Sequence, residues 1–177
     1  LSIGASQVVT LANATGTRHV FSGLVTGAGG VSMNGLGTQV LDTANNYSGN
    51  TSVSRGTLEV GHSGALGSGA LSMSPNASNS ATLALNGITL TKNITASASG
   101  TGATVGVATI TSLSGVSTVA GTVSASNEAT YSAAAGASLY LSPSSGNAIT
   151  VSGSGFRQSF TPAAGGEVRV NGPISAT

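Results

Sequence analysis

Charge is what this 177-residue chain has least of. Charged residues make up 5% of it, against roughly a quarter of an ordinary globular protein. Arg18, Arg55, Lys92, Arg157 and Arg169 are scattered, and with four acids they leave a net charge of +1. Displacing counterions from phosphates takes several Lys or Arg close together, so nucleic-acid binding is set aside. Cysteine is absent, which removes disulfides, thiolate metal sites and thiol nucleophiles. That does not argue against export, because a long stacked sheet draws stability from repeated backbone pairing. Tryptophan is absent too, and the aromatics are Phe21, Phe156, Phe160, Tyr47, Tyr131 and Tyr140. A core must therefore be built from Val, Leu, Ile and Ala, which suits thin coils with narrow interiors. No apolar run approaches the ~20 residues needed to cross a bilayer, so this segment is not expected to insert into a membrane. It carries no signal peptide and begins at Leu1, as a processed or excised segment would.

What is present is apolar and small. Hydrophobic residues are 39% of the chain and the mean hydropathy is +0.28, which is unlike a charge-rich disordered tail. Helix formers are nearly absent and glycine recurs throughout. Strand-like runs are plentiful: Gln7–Leu11, His19–Val25, Thr38–Leu41, Thr51–Val53, Thr57–Val60, Ala70–Met73, Thr82–Leu85 and Ile88–Leu90. They continue with Thr104–Thr111, Ser117–Val123, Ser138–Leu141, Ala148–Val151 and Glu167–Val170. Many alternate apolar with Ser or Thr, which places one side inward and the other outward. Two architectures make many short strands with Gly/Asn turns: an antiparallel sandwich or barrel, and a parallel β-helix. Short strands, small apolar residues and asparagines beside bends (Asn45, Asn46, Asn86, Asn93) favour the β-helix. At ~20 residues a coil, about eight coils form a rod of about 40 Å. Residues 1–177 are expected to form a single all-β solenoid domain.

The stretch Gly30–Val60 is the most informative. It opens with Gly29-Gly30-Val31-Ser32-Met33-Asn34-Gly35-Leu36-Gly37-Thr38-Gln39-Val40-Leu41. It continues with Asn45-Asn46-Tyr47-Ser48-Gly49, then Thr51-Ser52-Val53-Ser54-Arg55-Gly56-Thr57-Leu58-Glu59-Val60, then Gly64-Ala65-Leu66-Gly67-Ser68-Gly69-Ala70-Leu71. This order resembles the autotransporter-associated β-strand repeat, also called the passenger-associated transport repeat, over roughly residues 20 to 95. Met33 stands where the family usually has Lys, and Gln39-Val40-Leu41 departs from the usual L-x-L. Residues 96–177 match only in style and read as more diverged coils. The resemblance implies a β-solenoid exported by a bacterium, secreted or held at the cell surface, and implies no enzymatic activity by itself. Val168–Ser175 further echoes His19–Thr26, aligning Gly172 with Gly23 and Ile174 with Val25. A repeat boundary would give such an echo, as would coincidence in so biased a composition.

The polar inventory holds no obvious active site. Asp42, Glu59, Glu128 and Glu167 are the only acids and form no local pair, whereas glycoside hydrolysis needs two in one cleft. A single Asp excludes calcium-binding nonapeptide repeats. His19 and His62 lie far apart, with no zinc spacing, and His62 in Gly61-His62-Ser63-Gly64 reads as a turn residue. No catalytic, cofactor or metal residues are expected, and no enzyme. Thr89-x-Thr91 and Thr109-x-Thr111 are separated by about one coil, the spacing of a Thr ladder that orders water. Asn13, Asn46, Asn50, Asn76 and Asn93 head N-x-S/T sequons, at a number chance supplies. A neutral Ser/Thr/Asn surface lacks repulsion against its own copies, so self-association is expected. The expected function is structural: a passenger segment, or a subunit of a fibre stacked end to end. The alternative is an adhesin or binding module that meets glycan or ice through a flat Ser/Thr/Asn face, with Tyr47, Tyr131 and Tyr140 as the candidate glycan-stacking aromatics.

Overall fold

The computed structural model describes residues 1–77, 79–99, 106–153 and 157–177. Every strand pairing in it is parallel. The chain winds as a β-solenoid of about 7 turns, and each complete coil visits three faces in order. The first face stacks β2 (Val8–Leu11), the start of β5 (Gly30–Leu41), the start of β6 (Thr51–Val60), β7 (Leu71–Met73), β10 (Ile94–Ala96), β13 (Val123–Ala125), β16 (Ile149–Val151) and β19 (Ile174–Ala176). The second stacks β3 (Arg18–Phe21), the ends of β5 and β6, β8 (Ser80–Asn86), β11 (Val107–Ser114), β14 (Ala129–Ala133) and β17 (Gln158–Phe160). The third holds β1 (Ser2–Ile3) with β4 (Thr26–Gly27), and further on β9 (Thr89–Leu90), β12 (Val116–Val119), β15 (Ser138–Leu141) and β18 (Glu167–Val170).

The expected 20-residue coil holds early: Val31 pairs with Thr51, and Thr51 with Leu71. Later coils are longer. Ile94 pairs with Val123, Val123 with Ile149 and Ile149 with Ile174. Fewer coils therefore fit than the eight expected.

Burial follows the alternation. On the first face the inward positions are Val31, Thr51, Leu71, Ile94, Val123 and Ile149, stacked in register and all buried. On the second they are Leu58, Leu83, Ile110 and Tyr131, each at most 1% exposed. Burying each of these aliphatic side chains contributes about 1.5–3 kcal/mol. Gln39 takes the same inward row one coil earlier. Its amide is satisfied there: Nε2 donates to the His19 and Val40 carbonyls at 3.2 and 3.0 Å, and Oε1 accepts from Asn13 at 3.3 Å. This explains how the chain tolerates Gln where its neighbours carry Leu.

Asparagine side chains tie coils together at the bends. Asn45 Oδ1 accepts the Val25 N–H of the preceding coil, and Nδ2 donates to the Ala65 carbonyl of the next, both at 2.7 Å. Asn50 accepts from Ala70 N–H and Asn93 from Thr122 N–H in the same manner. Asn45→Ala removes two such bonds and leaves a partly buried donor and acceptor without partners. We expect a loss of about 2–3 kcal/mol, read from urea unfolding. Asn45→Asp, which keeps the acceptor and loses the donor, should fall between the two.

Several local expectations change. Gly30–Val60 is not a series of short strands but two long ones, bent where Gly35, Gly37 and Gly56 lie. Gly56 takes φ +67°, a left-handed conformation that favours glycine. The run His19–Val25 is broken, with β3 ending at Phe21 and β4 starting at Thr26. Thr104 and Val105 of the run Thr104–Thr111 lie outside the described residues. Ile94–Ala96 and Ala129–Ala133 are strands that propensity does not announce, since alanine is a weak strand former and the neighbouring coils supply the pairing. The echo of His19–Thr26 in Val168–Ser175 does not superpose. Val168–Val170 lies on the third face and Ile174 on the first, whereas His19 lies on the second and Thr26 on the third. It reflects composition.

Candidate binding face

The outward side of the first face carries two rows of small residues, all polar except Ala12. One row is Thr10, Ser32, Ser52, Ser72, Thr95, Ser124, Thr150 and Ser175, all register partners. Two positions further along each coil runs the second: Ala12, Asn34, Ser54, Ser74, Ser97, Ser126, Ser152 and Thr177. From Ser74 onward, the backbone N–H of each second-row residue donates to the coil before it: Ser74 to Val53, Ser97 to Met73, Ser126 to Ala96, Ser152 to Ala125 and Thr177 to Val151. None of these side chains is buried. Neighbours along a row lie about 4.8 Å apart, and the rows are separated by about 6.6 Å. No register shift interrupts the face between β6 and β19.

From Ser72 and Ser74 onward neither row contains a charge or an aromatic ring. Before that the register shifts after Met33, and Arg55 rather than Ser54 pairs with Asn34. Lys92 lies at the margin of the face, where Nζ donates to the Gly69 carbonyl at 2.6 Å and burial lowers its pKa. Among the described residues, side-chain hydrogen bonds engage Ser54 near one end of the array, and Thr150 and Ser175 near the other. The central hydroxyls face outward.

The charged residues gather on the other faces. Glu59, on the second face, is paired with Arg18 at 2.9 Å. Glu128 lies 3.8 Å from Arg157. Glu167 accepts from Arg169 at 2.6 Å and from the Tyr140 hydroxyl at 3.1 Å. The Arg169 guanidinium holds its carboxyl below the usual range and also lies 5.2 Å over the Tyr140 ring. Asp42 accepts from the Ser22 and Thr43 hydroxyls. Each acid therefore has its own local partner. His19 is exposed on β3, and His62 Nδ1 accepts the Gly64 N–H at 3.0 Å, a turn contact. Among the described residues no three His, Asp or Glu side chains gather as a metal site.

The aromatic expectation changes. Tyr47 and Tyr131 are both fully buried, so neither offers a ring to a sugar. Burial raises the pKa of both phenols. Tyr47 bonds Thr51 Oγ1 at 2.6 Å, and Tyr131 stacks on Phe160 with centroids 5.2 Å apart. Tyr140 is only partly exposed and lies against Arg169. The threonine expectation changes as well. Thr89 lies on the third face and Thr109 on the second, so these pairs do not align. A different threonine row exists: Thr38, Thr57, Thr82, Thr109 and Thr130 are in register on the second face, followed by Ser159. Unequal coil lengths hide it in the sequence. The first-face array had a legible signal, the recurrence of apolar–Ser/Thr–x–Ser/Thr, as in Leu71-Ser72-Met73-Ser74 and Val123-Ser124-Ala125-Ser126.

Residues 32–60, spanning most of β5 and all of β6, match the passenger-associated-transport-repeat family. This stretch is a passenger-associated transport repeat. Within the repeat, the two strands lie in register and the Tyr47 hydroxyl is tied to Thr51 at the entrance to the second. A 71-residue stretch of the chain is 44% identical to an adhesin autotransporter, BmaC, of Brucella suis biovar 1 (strain 1330). The match covers 40% of this chain and 2% of that adhesin. No solved structure matches the chain.

Proposed function

We propose that this chain is a segment of a bacterial autotransporter passenger, secreted or displayed at the cell surface, and that its role is structural and adhesive rather than enzymatic. The observation that carries the reading is the passenger-associated repeat built into a continuous parallel stack. The likeness to an adhesin autotransporter supports it. So does the chemistry of the surface: the acids are held by local partners, while the longest regular face offers neutral hydroxyls. Such a solenoid acts as a stiff arm that presents a repetitive surface. Antibodies raised against the purified chain test it on the source bacterium. They should label intact cells or the culture medium, and external protease should abolish the label. Labelling that requires permeabilised cells would overturn the reading.

A further inference from the structure

We infer that the recess around Lys92 is a binding site for a carboxylated sugar. The carboxylate sits on the Lys92 ammonium, and the sugar hydroxyls meet the surrounding Ser, Thr and Asn side chains. This rests on the proposed adhesive role and names a ligand class for it.

Turn length makes the recess. Val60, Leu85 and Ser112 are register partners, and so are Leu71, Ile94 and Val123. Between these two rows the chain uses ten residues in one coil (61–70), eight in the next (86–93) and ten in the one after (113–122). The short crossing lies between two longer ones, so the wall steps inward there. A recess of about 460 Å³ opens at this step, lined by residues 63–64 and 67–70 on one side and 91–93 on the other. That volume falls within the ~300–1,000 Å³ of small-molecule sites.

The charge selects an anion. Lys92 is the chain's only lysine, and its Nζ donates to the Gly69 carbonyl inside the recess. An ammonium has three donors, and the carbonyl takes one. Arg18, Arg157 and Arg169 each face a carboxylate, whereas Lys92 has none among the described residues. Partial burial strips water from this charge, and an incoming carboxylate compensates it. One ammonium balances one negative charge, so a carboxylate fits better than a doubly charged phosphate.

The rest of the wall selects a sugar. Ser63, Ser68 and Thr91 are exposed there, and a hydroxyl both donates and accepts, as a sugar's own hydroxyls do. Asn93 Oδ1 already accepts the Thr122 N–H at 3.0 Å, which leaves Nδ2 as that side chain's donor. Apart from the Lys92 stem, no apolar side chain larger than alanine lines the recess, so an apolar ligand finds no complement. His62, beside the lining residue Gly64, accepts that residue's N–H and brings no negative charge to oppose a carboxylate.

The test follows the purified chain by NMR, with methyl glucuronide, the neutral methyl glucoside and acetate as probes. With lysine carbons labelled, Lys92 gives the only lysine signal. Glucuronide should shift that signal and the Gly67 and Gly69 amides saturably, at roughly millimolar affinity. Glucoside and acetate should each bind about tenfold or more weakly. Lys92→Gln should weaken glucuronide binding about tenfold or more, read at the two glycine amides, because a charge-assisted hydrogen bond is lost. Arg55→Gln removes a cation outside the recess and should leave binding unchanged; equal losses from both variants would overturn the site in favour of net charge. Circular dichroism melts verify folding, and if Lys92→Gln melts early the three-probe comparison on the wild-type chain decides. Absence of a saturable shift overturns the inference. Glucoside binding as tightly as glucuronide overturns the role given to Lys92, and acetate binding as tightly overturns the sugar, leaving a small-anion site. Because the assay uses purified protein, its outcome is separate from where the cell places the chain.

Discussion

Gly49→Ala is expected to destabilise the protein by about 3 kcal/mol or more. A Cβ added there would lie 2.3 Å from the Gly29 carbonyl carbon and 2.5 Å from Gly30 N. Both are backbone atoms, so no side-chain rotation relieves the clash. Gly49 N–H also donates to Gly29 O at 3.2 Å, and moving the chain apart strains that bond. The same crowding recurs one coil on, where a Cβ on Gly69 would lie 2.1 Å from Gly49 O. Gly29, Gly49 and Gly69 thus form a column at a bend where successive backbones touch, and the reason for glycine is space. Because each coil rests mainly on its neighbours, a wedge at Gly49 should loosen the Gly29 and Gly69 coils first. Hydrogen exchange should show the loss centred on β5 and β6, with β16 and β19 little changed. Gly4→Ala is the control: its nearest neighbour would be the Gln7 Cγ at 3.6 Å, and a change under about 1 kcal/mol is expected. Equal destabilisation by both would refute the backbone-contact argument.

Leu83→Ala is expected to cost about 3 kcal/mol, within the 2–5 kcal/mol range of buried Leu truncations. Leu83 is fully buried between its register partners Leu58 and Ile110. Collapse into the gap is opposed by the hydrogen-bonded ladders on either side, which hold the coil spacing. The cavity therefore stays open and the larger part of the cost is retained. Val116, 54% exposed on β12, is the matched surface control, with Val116→Ala expected to stay within about 0.5 kcal/mol. Urea unfolding midpoints at constant slope give both values. A Leu83→Ala loss below about 1 kcal/mol would mean that the stack relaxes along its axis more readily than the continuous pairing implies.

The fold was legible where the signal is local. Alternation marked the inward residues of β6, β8 and β18, and asparagine marked the bends at Asn45 and Asn93. Scarcity of large side chains pointed to a narrow coil. The candidate face was less legible, although from Leu71 onward each coil repeats apolar–Ser/Thr–apolar–Ser/Thr there. The spacing of Thr89 and Thr109 suggests one coil, yet they lie on different faces because coil length is not constant. The glycan reading of Tyr47 and Tyr131 failed for a related reason: a ring looks the same in sequence whether it fills a core or faces solvent. Only the packing of Tyr131 against Phe160, and of Tyr47 beside Thr51, decides which.

By itself, then, the sequence determined the class of fold and the inward-outward sense of most strands. These depend on neighbours one or two positions away, through the pleat and the conformational limits of Gly and Asn. The tertiary structure alone decided which residues of different coils share a row. That depends on the length of every intervening turn, and one residue more or less exchanges inside for outside. The hydroxyl array, the threonine row and the glycine column are all products of that alignment.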